Sequence, residues 1–274
     1  MTFAIDTYAV MGNPVSHSLS PRVHKEFAKQ TGEHLDYQAI EVPLEKLESA
    51  INHFLKEGGK GLNITVPFKQ QAFVLMTQCS KRANLAQAVN TIIIQPDGRL
   101  VGDNTDGIGL IRDITWQQEN LRDKRILILG AGGAVRGILG PLLAEKPSEI
   151  IIVNRTETTA TFLASAFSKL GIVRSYPLDA IAGQQFDLII NGTSASLTNQ
   201  TLALPEHLLT PEGWCYDLAY SSQLTAFQRW ARQQGARKYL DGLGMLIEQA
   251  AEAFYLWRGI RPETRPVLKL LQAR

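Results

Sequence analysis

Cysteine is nearly missing from the 274 residues: only Cys79 and Cys215 are present, without CxxC spacing or a partner motif. That excludes a disulfide-stapled scaffold and points to a reducing compartment in which both thiols are packing residues. Neither sign of charge is in excess, since 28 Lys and Arg face 26 Asp and Glu for a formal net charge of +2. Such balance gives no general electrostatic hold on DNA, RNA or an anionic membrane, so any basic site is local. No apolar run approaches the ~18 residues that span a bilayer. The start, MTFAIDTYAVMGNP, lacks the basic and apolar stretches of a signal peptide, and a cytoplasmic location is expected. Internal repeats, low-complexity tracts and Pro/Gly-rich linkers are lacking as well. With 45% hydrophobic, 20% charged and 8% aromatic residues, collagen-like and disordered chains are excluded. A chain of this length buries roughly three-quarters of the surface its unfolded form exposes, so it needs no metal staple.

What is present is alternation. Short β-branched runs (Tyr8–Val10, Asp36–Glu41, Gly61–Thr65, Arg125–Leu129, Ile150–Asn154, Phe186–Asn191 and Trp214–Leu218) alternate with helical spacing over Pro21–Thr31, Leu44–Lys56, Val135–Glu145 and Leu224–Gln234. This order is the mark of an α/β fold. Continuously apolar stretches such as Ile150–Val153 and Leu188–Ile190 predict parallel strands buried on both faces. The pattern changes near Asn104–Ile108, and a new unit is expected to begin at Arg125. The stretch from Gly242 onward reads as helix.

The segment RILILGAGGAVRGIL (Arg125–Leu139) reads strand, tight glycine turn, helix. Gly130, Gly132 and Gly133 fall where a chain turns sharply and lets backbone N–H groups approach a pyrophosphate. The G-x-G-x-x-G fingerprint is met only in part, because Val135 stands in the third glycine's place. The next strand ends in Asn154-Arg155-Thr156, about twenty residues on, where an NAD site places a carboxylate for the ribose 2′-hydroxyl. An arginine there suits a 2′-phosphate through charge-assisted, bidentate hydrogen bonds, which favours NADP(H). The plainer alternative is a solvated arginine at a strand end. Thr193 and Ser194, after the strand Asp187–Asn191, stand where a loop lines a cofactor cleft.

The first half carries polar motifs: GNPVSHSLSP (Gly12–Pro21), NITVPFK (Asn63–Lys69), AVNT (Ala88–Thr91) and GDNTDG (Gly102–Gly107). Singly, each is a turn with polar residues, and a lone serine there is a cap. With GAGGA, NRT and DGLGMLIEQA (Asp241–Ala250) they follow one another at family spacing. In that combination the chain resembles the shikimate dehydrogenase family over essentially its whole length. The resemblance is to the monofunctional, NADP-dependent kind of aromatic amino-acid (chorismate) biosynthesis.

The resemblance implies two α/β domains with a cleft between them. A mixed/parallel substrate-binding domain comes from residues 1–104 and 241–274, and a Rossmann-like NADP-binding domain from 105–240. It implies reversible NADPH-dependent reduction of 3-dehydroshikimate to shikimate by a monomer or homodimer, with no nucleic-acid or membrane partner. Carried over by position, Lys69 and Asp106 match the catalytic pair. Ser16, Ser18, Thr65, Asn90, Tyr220 and Gln249 match the shikimate contacts, together with the pair itself. Gly130, Ala131, Gly132, Gly133 and Ala134 match the cofactor turn. Asn154, Arg155, Thr156, Glu157, Thr158 and Thr159 match the ribose end, and Thr193, Leu218 and Gly242 the remaining cofactor contacts. No metal is implied, and His17, His24, His34, His53 and His207 show no ligand spacing.

The chemistry accords with that implication. Hydride addition to a ketone builds negative charge on oxygen, which a positioned proton donor or cation must offset. A site of hydroxyl and amide donors suits a small polyol carboxylate and rejects analogues that leave its polar groups unpaired.

The chain departs from the family pattern in places. Lys81 stands where an acidic residue is common, and Thr159 replaces a basic residue near the 2′-phosphate. Leu218 replaces a methionine of similar volume. Gln87 and Gly192 stand where Gly and Ala are frequent. Two other readings are a quinate/shikimate dehydrogenase that also uses NAD, and a non-catalytic dinucleotide-binding regulator. Asn154-Arg155-Thr156 speaks against the first, and the presence of both Lys69 and Asp106 against the second.

Overall fold

A computed structural model describes residues 5–198 and 203–273. The first part of the chain runs β1 (Asp6–Gly12), α1 (Ser20–Thr31), β2 (Leu35–Glu41), α2 (Leu47–Lys56), β3 (Gly61–Ile64), α3 (Lys69–Leu75), β4 (Gln78–Cys79), α4 (Lys81–Ala86), β5 (Thr91–Ile94), β6 (Leu100–Asp103) and α5 (Asp106–Trp116). There follow β7 (Arg125–Leu129), α6 (Gly133–Ala144), β8 (Glu149–Val153), α7 (Glu157–Phe167), β9 (Val173–Ser175), β10 (Phe186–Asn191), β11 (Leu209–Asp217), α8 (Ala226–Gln233), β12 (Tyr239–Leu240), α9 (Leu243–Arg258) and α10 (Thr264–Gln272).

Contacts divide the chain into two compact units, one running to Asp113 and resuming at Leu246, the other spanning Ile114–Met245. The expected breaks at 104/105 and 240/241 lie just ahead of α5 and α9, whereas the observed ones fall inside those two helices. A helix carries the chain across without the Gly/Pro linker that would have marked a boundary.

The first unit holds a six-stranded sheet of order β2-β1-β3-β5-β6-β4. β1 pairs in parallel with β2 and β3, but β5 runs antiparallel to both β3 and β6. The sheet is therefore mixed, and short β4 and β6 meet in parallel at its far edge. Helix α1 opens with Pro21 in its first turn and closes at Gly32 with φ 71°, the left-handed cap that glycine adopts without strain. The same job at the end of α4 falls to Gln87, with φ 50°. A residue with a Cβ carries a steric cost in that conformation. Helices α9 and α10 belong to this unit from Leu246 on. Trp257 donates its indole N–H to the Ile92 carbonyl at 3.0 Å, while Arg258 grips Asp6 and Glu33.

The second unit is a six-stranded, wholly parallel sheet of order β12-β11-β10-β7-β8-β9. The middles of its central strands are apolar because both faces are covered: Ile126, Leu127, Ile128, Ile150, Ile151, Ile152, Leu188, Ile189 and Ile190 are all fully buried. The strand order reverses between β7 and β10. Ligands of doubly wound sheets bind at such a switch point, outside the carboxyl ends of the strands.

Candidate active site

In the first unit, three motif loops converge by strand pairing. β1 and β3 lie in parallel with Met11 opposite Ile64, so the loops after them leave the sheet side by side. Gly12 makes this possible: a Cβ there would lie 2.4 Å from the Thr65 methyl. Thr65 donates its N–H to Met11, and Asn13 donates its own to Val66. After Pro67 the chain enters α3, which begins at Lys69. The third loop follows β6 and delivers Asp106 to the start of α5.

Lys69 and Asp106 meet here. Lys69 Nζ is 2.5 Å from Asp106 Oδ2, with side chains only 11% and 5% exposed. Such a pair is poorly reached by water, so its geometry depends on the hydrogen bonds around it. Asn90 is the centre of those bonds. Its Nδ2 donates to Asp106 Oδ1 at 2.9 Å, to Thr105 Oγ1 at 2.9 Å and to Gln249 Oε1 at 3.1 Å. Its Oδ1 accepts from the Thr105 N–H and from the Thr91 hydroxyl, each at 2.8 Å. Thr105, fully buried, also donates its hydroxyl to Gln249. Asn63 backs the group: it accepts from the Tyr37 hydroxyl and donates to the Asn90 carbonyl and to Thr91.

Thus Lys69, Asp106, Asn90 and Gln249 form one bonded cluster. Thr65 is half-buried on the loop ahead of Lys69. Ser16 is exposed on the β1–α1 loop, and Ser18 is half-buried, its oxygen accepting from the Ser20 N–H. Tyr220 lies in the other unit, half-buried just past β11. Thr105 was not singled out in the sequence; its place between two motif residues, Asn104 and Asp106, was the available signal.

In the second unit the site is made of backbone. Gly130 leaves β7 at φ +104°, and a Cβ there would lie 2.9 Å from the Gly192 carbonyl oxygen. Next to Gly130 come half-buried Ala134, buried Ala131 and Gly132, around which a Cβ would find open space. Helix α6 begins at Gly133 with no side chain capping its end. Unclaimed N–H groups and the helix dipole suit a pyrophosphate there. At the end of neighbouring β8, Asn154 Nδ2 donates to the Thr156 carbonyl at 2.9 Å, shaping the turn. Arg155, Thr156, Glu157 and Thr158 are exposed on it, and Thr159 is half-buried. An exposed arginine at the end of the strand next to the glycine turn suits a 2′-phosphate in charge.

Close approaches continue along the same sheet edge. A Cβ on Gly192 would sit 2.4 Å from Val135 Cγ2, and one on Gly242 only 2.2 Å from the Leu218 carbonyl oxygen. Gly192 is thus the complement of Val135, the residue in the third glycine's place. Asp217, fully buried at the end of β11, fixes this edge. It accepts from Ser196 Oγ at 2.6 Å, Thr225 Oγ1 at 2.7 Å, Asn191 Nδ2 at 3.0 Å and the Ala219 N–H at 3.1 Å. Burial pushes its pKa up, against the pull of those donors. Thr193 bonds to Asn191 Oδ1 through both N–H and hydroxyl, which orients the loop after β10. Asp217 too was missed in the sequence, although a lone carboxylate closing the apolar run WCYD was a readable sign. Among the described residues, no group of three or more His, Cys, Asp or Glu could hold a metal ion, and no helix is long and apolar enough to cross a membrane.

Comparison with known proteins gives concordant results. Residues 10–92 match the shikimate dehydrogenase substrate binding domain, residues 114–208 the shikimate / quinate 5-dehydrogenase family, and residues 242–272 the shikimate 5′-dehydrogenase C-terminal domain. The chain is 52% identical over 269 residues to a shikimate dehydrogenase (NADP(+)) of Methylococcus capsulatus, covering 98% of this chain and 96% of that one. It is 53% identical over 265 residues to the Hahella chejuensis protein of the same name, covering 96% and 97%. Among solved structures, it is similar to shikimate 5-dehydrogenase from Thermus thermophilus in complex with NADP(H) and shikimate. There the TM-score is 0.86 and the identity 33%, with 98% of this chain and 99% of that one covered.

Proposed function

The chain belongs to the shikimate dehydrogenase family, and from that premise we propose that it catalyses the reversible NADPH-dependent reduction of 3-dehydroshikimate to shikimate. The observation that carries this reading is the buried contact of Lys69 with Asp106, held by Asn90. When bound, NADPH supplies the hydride for the substrate ketone. The chain supplies the rest. Lys69 Nζ commits one N–H to Asp106 and has others to offer the ketone oxygen, where it offsets the growing negative charge and delivers the proton. Asp106 keeps the ammonium aimed. In the oxidative direction, the same pair receives the hydroxyl proton.

Ser16, Ser18, Thr65, Tyr220 and Gln249 are proposed to bind the substrate's hydroxyls and carboxylate, with Asn90 among them as framework. The amide of Asn90 is already shared among Thr105, Asp106 and Gln249, so its larger part is to hold those groups in register. The unit containing Lys69, which runs to Asp113 and resumes at Leu246, is the proposed substrate domain. The unit spanning Ile114–Met245 is the proposed NADP domain. In it, Gly130, Ala131, Gly132, Gly133 and Ala134 cradle the pyrophosphate and Arg155, with Asn154 and Thr156–Thr159, takes the 2′-phosphate. Thr193, Leu218 and Gly242 line the rest. A cytoplasmic monomer or homodimer suits such an enzyme.

The test is absorbance at the NADPH wavelength with shikimate plus NADP+, run beside quinate and NAD+. Rapid reduction with shikimate and NADP+ alone is expected. Comparable rates with quinate or NAD+ would replace this reading with a broader dehydrogenase, and silence in every mixture would leave a ligand-binding protein.

A further inference from the structure

Behind the cluster lies a second layer of charge, in which Asp103 of the GDNTDG motif meets Arg82 and Glu252, residues outside the motifs. Asp103, at the end of β6, is 5% exposed and immediately precedes the turn that presents Asp106. Its carboxylate takes Arg82 in fork geometry, Nε at 2.6 Å and Nη2 at 2.7 Å, while Ser80 donates its hydroxyl at 2.5 Å. The remaining guanidinium nitrogen, Nη1, donates to Glu252 Oε1 on α9 at 3.2 Å. Glu252 sits one helical turn beyond Gln249, on the same face.

Both ends of Arg82 lead directly into the site. From Asp103, the Oδ1 atom accepts the Asn104 N–H at 2.7 Å, and Asn104 Oδ1 in turn accepts the Asp106 N–H at 3.1 Å. The Asp103 carbonyl also accepts the Asn90 N–H at 3.0 Å. From Glu252, the helix carries Gln249, whose carboxamide oxygen accepts from Asn90 and Thr105. Arg112 and Arg261 hold the Glu252 end, each at 2.8 Å, but among the described residues Arg82 alone is bonded to both carboxylates. Burial disfavours its charge, yet the two carboxylates outweigh that and its proton is held more tightly than usual.

We propose that Arg82 is a positioning residue for the Lys69–Asp106 pair, tying the turn that presents Asp106 to the helix that presents Gln249; this rests on the dehydrogenase reading above. An arginine is needed because only a planar fork satisfies one carboxylate bidentately while a third nitrogen reaches another. The site's alignment then depends on a residue that touches neither Lys69 nor Asp106.

The experiment measures kcat and both KM values for wild type, Arg82→Met and Arg82→Lys, with rates normalised to NADPH-binding sites counted by fluorescence titration. Arg82→Met should lower kcat/KM for shikimate about 10²-fold, as misplacement of a reacting group by roughly an ångström does. The loss should appear in both kcat and the shikimate KM, while the KM for NADP+ stays within about twofold. Arg82→Lys should lose less, about tenfold, because an ammonium reaches one carboxylate but not both. A merely structural role would reduce the count of binding sites and leave both KM values alone. Wild-type kcat and shikimate KM per binding site in Arg82→Met would overturn the proposal, as would equal damage to both KM values. Should Arg82→Met yield no NADPH-binding protein, Arg82→Lys decides, and wild-type values there would overturn it. A silent wild type would instead remove the dehydrogenase reading, and this proposal with it.

Discussion

The two units build their sites from different materials. In the first, chemistry sits on side chains: Lys69, Asp106, Asn90, Thr105 and Gln249 are bonded to one another and buried. In the second, the site is mostly the absence of side chains, with Gly130, Gly192 and Gly242 each leaving room for a neighbour's atoms. A small hydroxylated substrate demands directional donors, whereas a dinucleotide's pyrophosphate demands close approach of backbone N–H groups. The first kind of site should therefore fail when a functional group is removed, and the second when a methyl group is added.

Lys69→Ala tests that contrast most strongly. Turnover should fall by about 10²–10⁴-fold, the usual worth of a positioned proton donor. NADPH binding, followed by fluorescence titration, should be unchanged. Full activity in this variant would remove Lys69 from the chemistry.

Acid should also separate the units. His24 is fully buried, stacked on Tyr37 with ring centroids 4.1 Å apart and edged by Phe27. Its ring nitrogens find no hydrogen-bond partner among the described residues; Asn63 lies near, but its amide is committed to Tyr37, Asn90 and Thr91. Burial lowers its pKa from 6.5 to about 3. Between those values the unfolded chain binds a proton that the native one does not. The contribution of His24 to the first unit's stability is therefore complete above pH 6.5 and is lost progressively as the pH falls toward the folded pKa. Asp217 acts with the opposite sign in the second unit, because its raised pKa makes protonation favour the native state. Hydrogen exchange stepped from about pH 6.5 to about 4.5 should show the amides of β1–β3 losing protection before those of β7 and β10. His24→Phe should remove that pH slope. An unaltered slope would assign the acid sensitivity to another group.

Arg155→Ala sharpens the comparison from the other side, since it removes the cationic side chain proposed at a mostly backbone-built site. Loss of a charge-assisted bond worth about 1.5–3 kcal/mol should raise the KM for NADP+ about 10–100-fold and leave that for NAD+ unaltered. Equal changes in both would make Arg155 structural. The smallest effect concerns added volume. Gly192→Ala should clash with Val135 and weaken NADPH binding by about 1–2 kcal/mol, and Val135→Ala in the same chain should restore it. Additive damage in the double variant would refute the pairing.

Much of the frame was legible in advance. β7 and β10 have the bounds their apolar runs predict, Arg125–Leu129 and Phe186–Asn191, because parallel strands buried on both faces announce themselves by composition alone. The antiparallel corner made by β5 and β6 was not legible. Those strands are four residues each, and Leu100–Asp103 mixes apolar with polar positions, so neither periodicity nor length sets it apart from a turn. The candidate residues Lys69 and Asp106 were picked out by their motifs, whereas Arg82 carries no motif of its own and Asp217 was passed over beside Leu218 and Tyr220. Gly192 and Gln87 were visible only as oddities. The structure explains them by a neighbouring Val135 methyl and a left-handed φ of 50°.

By itself, the sequence determined the alternation of strand and helix, the glycine turn after β7 and the residue types available for chemistry, since all of these depend on neighbours along the chain. Tertiary structure alone decided that Asn90 would meet Gln249, 159 residues away, and that one guanidinium would bridge Asp103 and Glu252. Local preference sets which way a side chain can turn. What it turns toward is set by strand register and helix packing, which are properties of the whole folded unit.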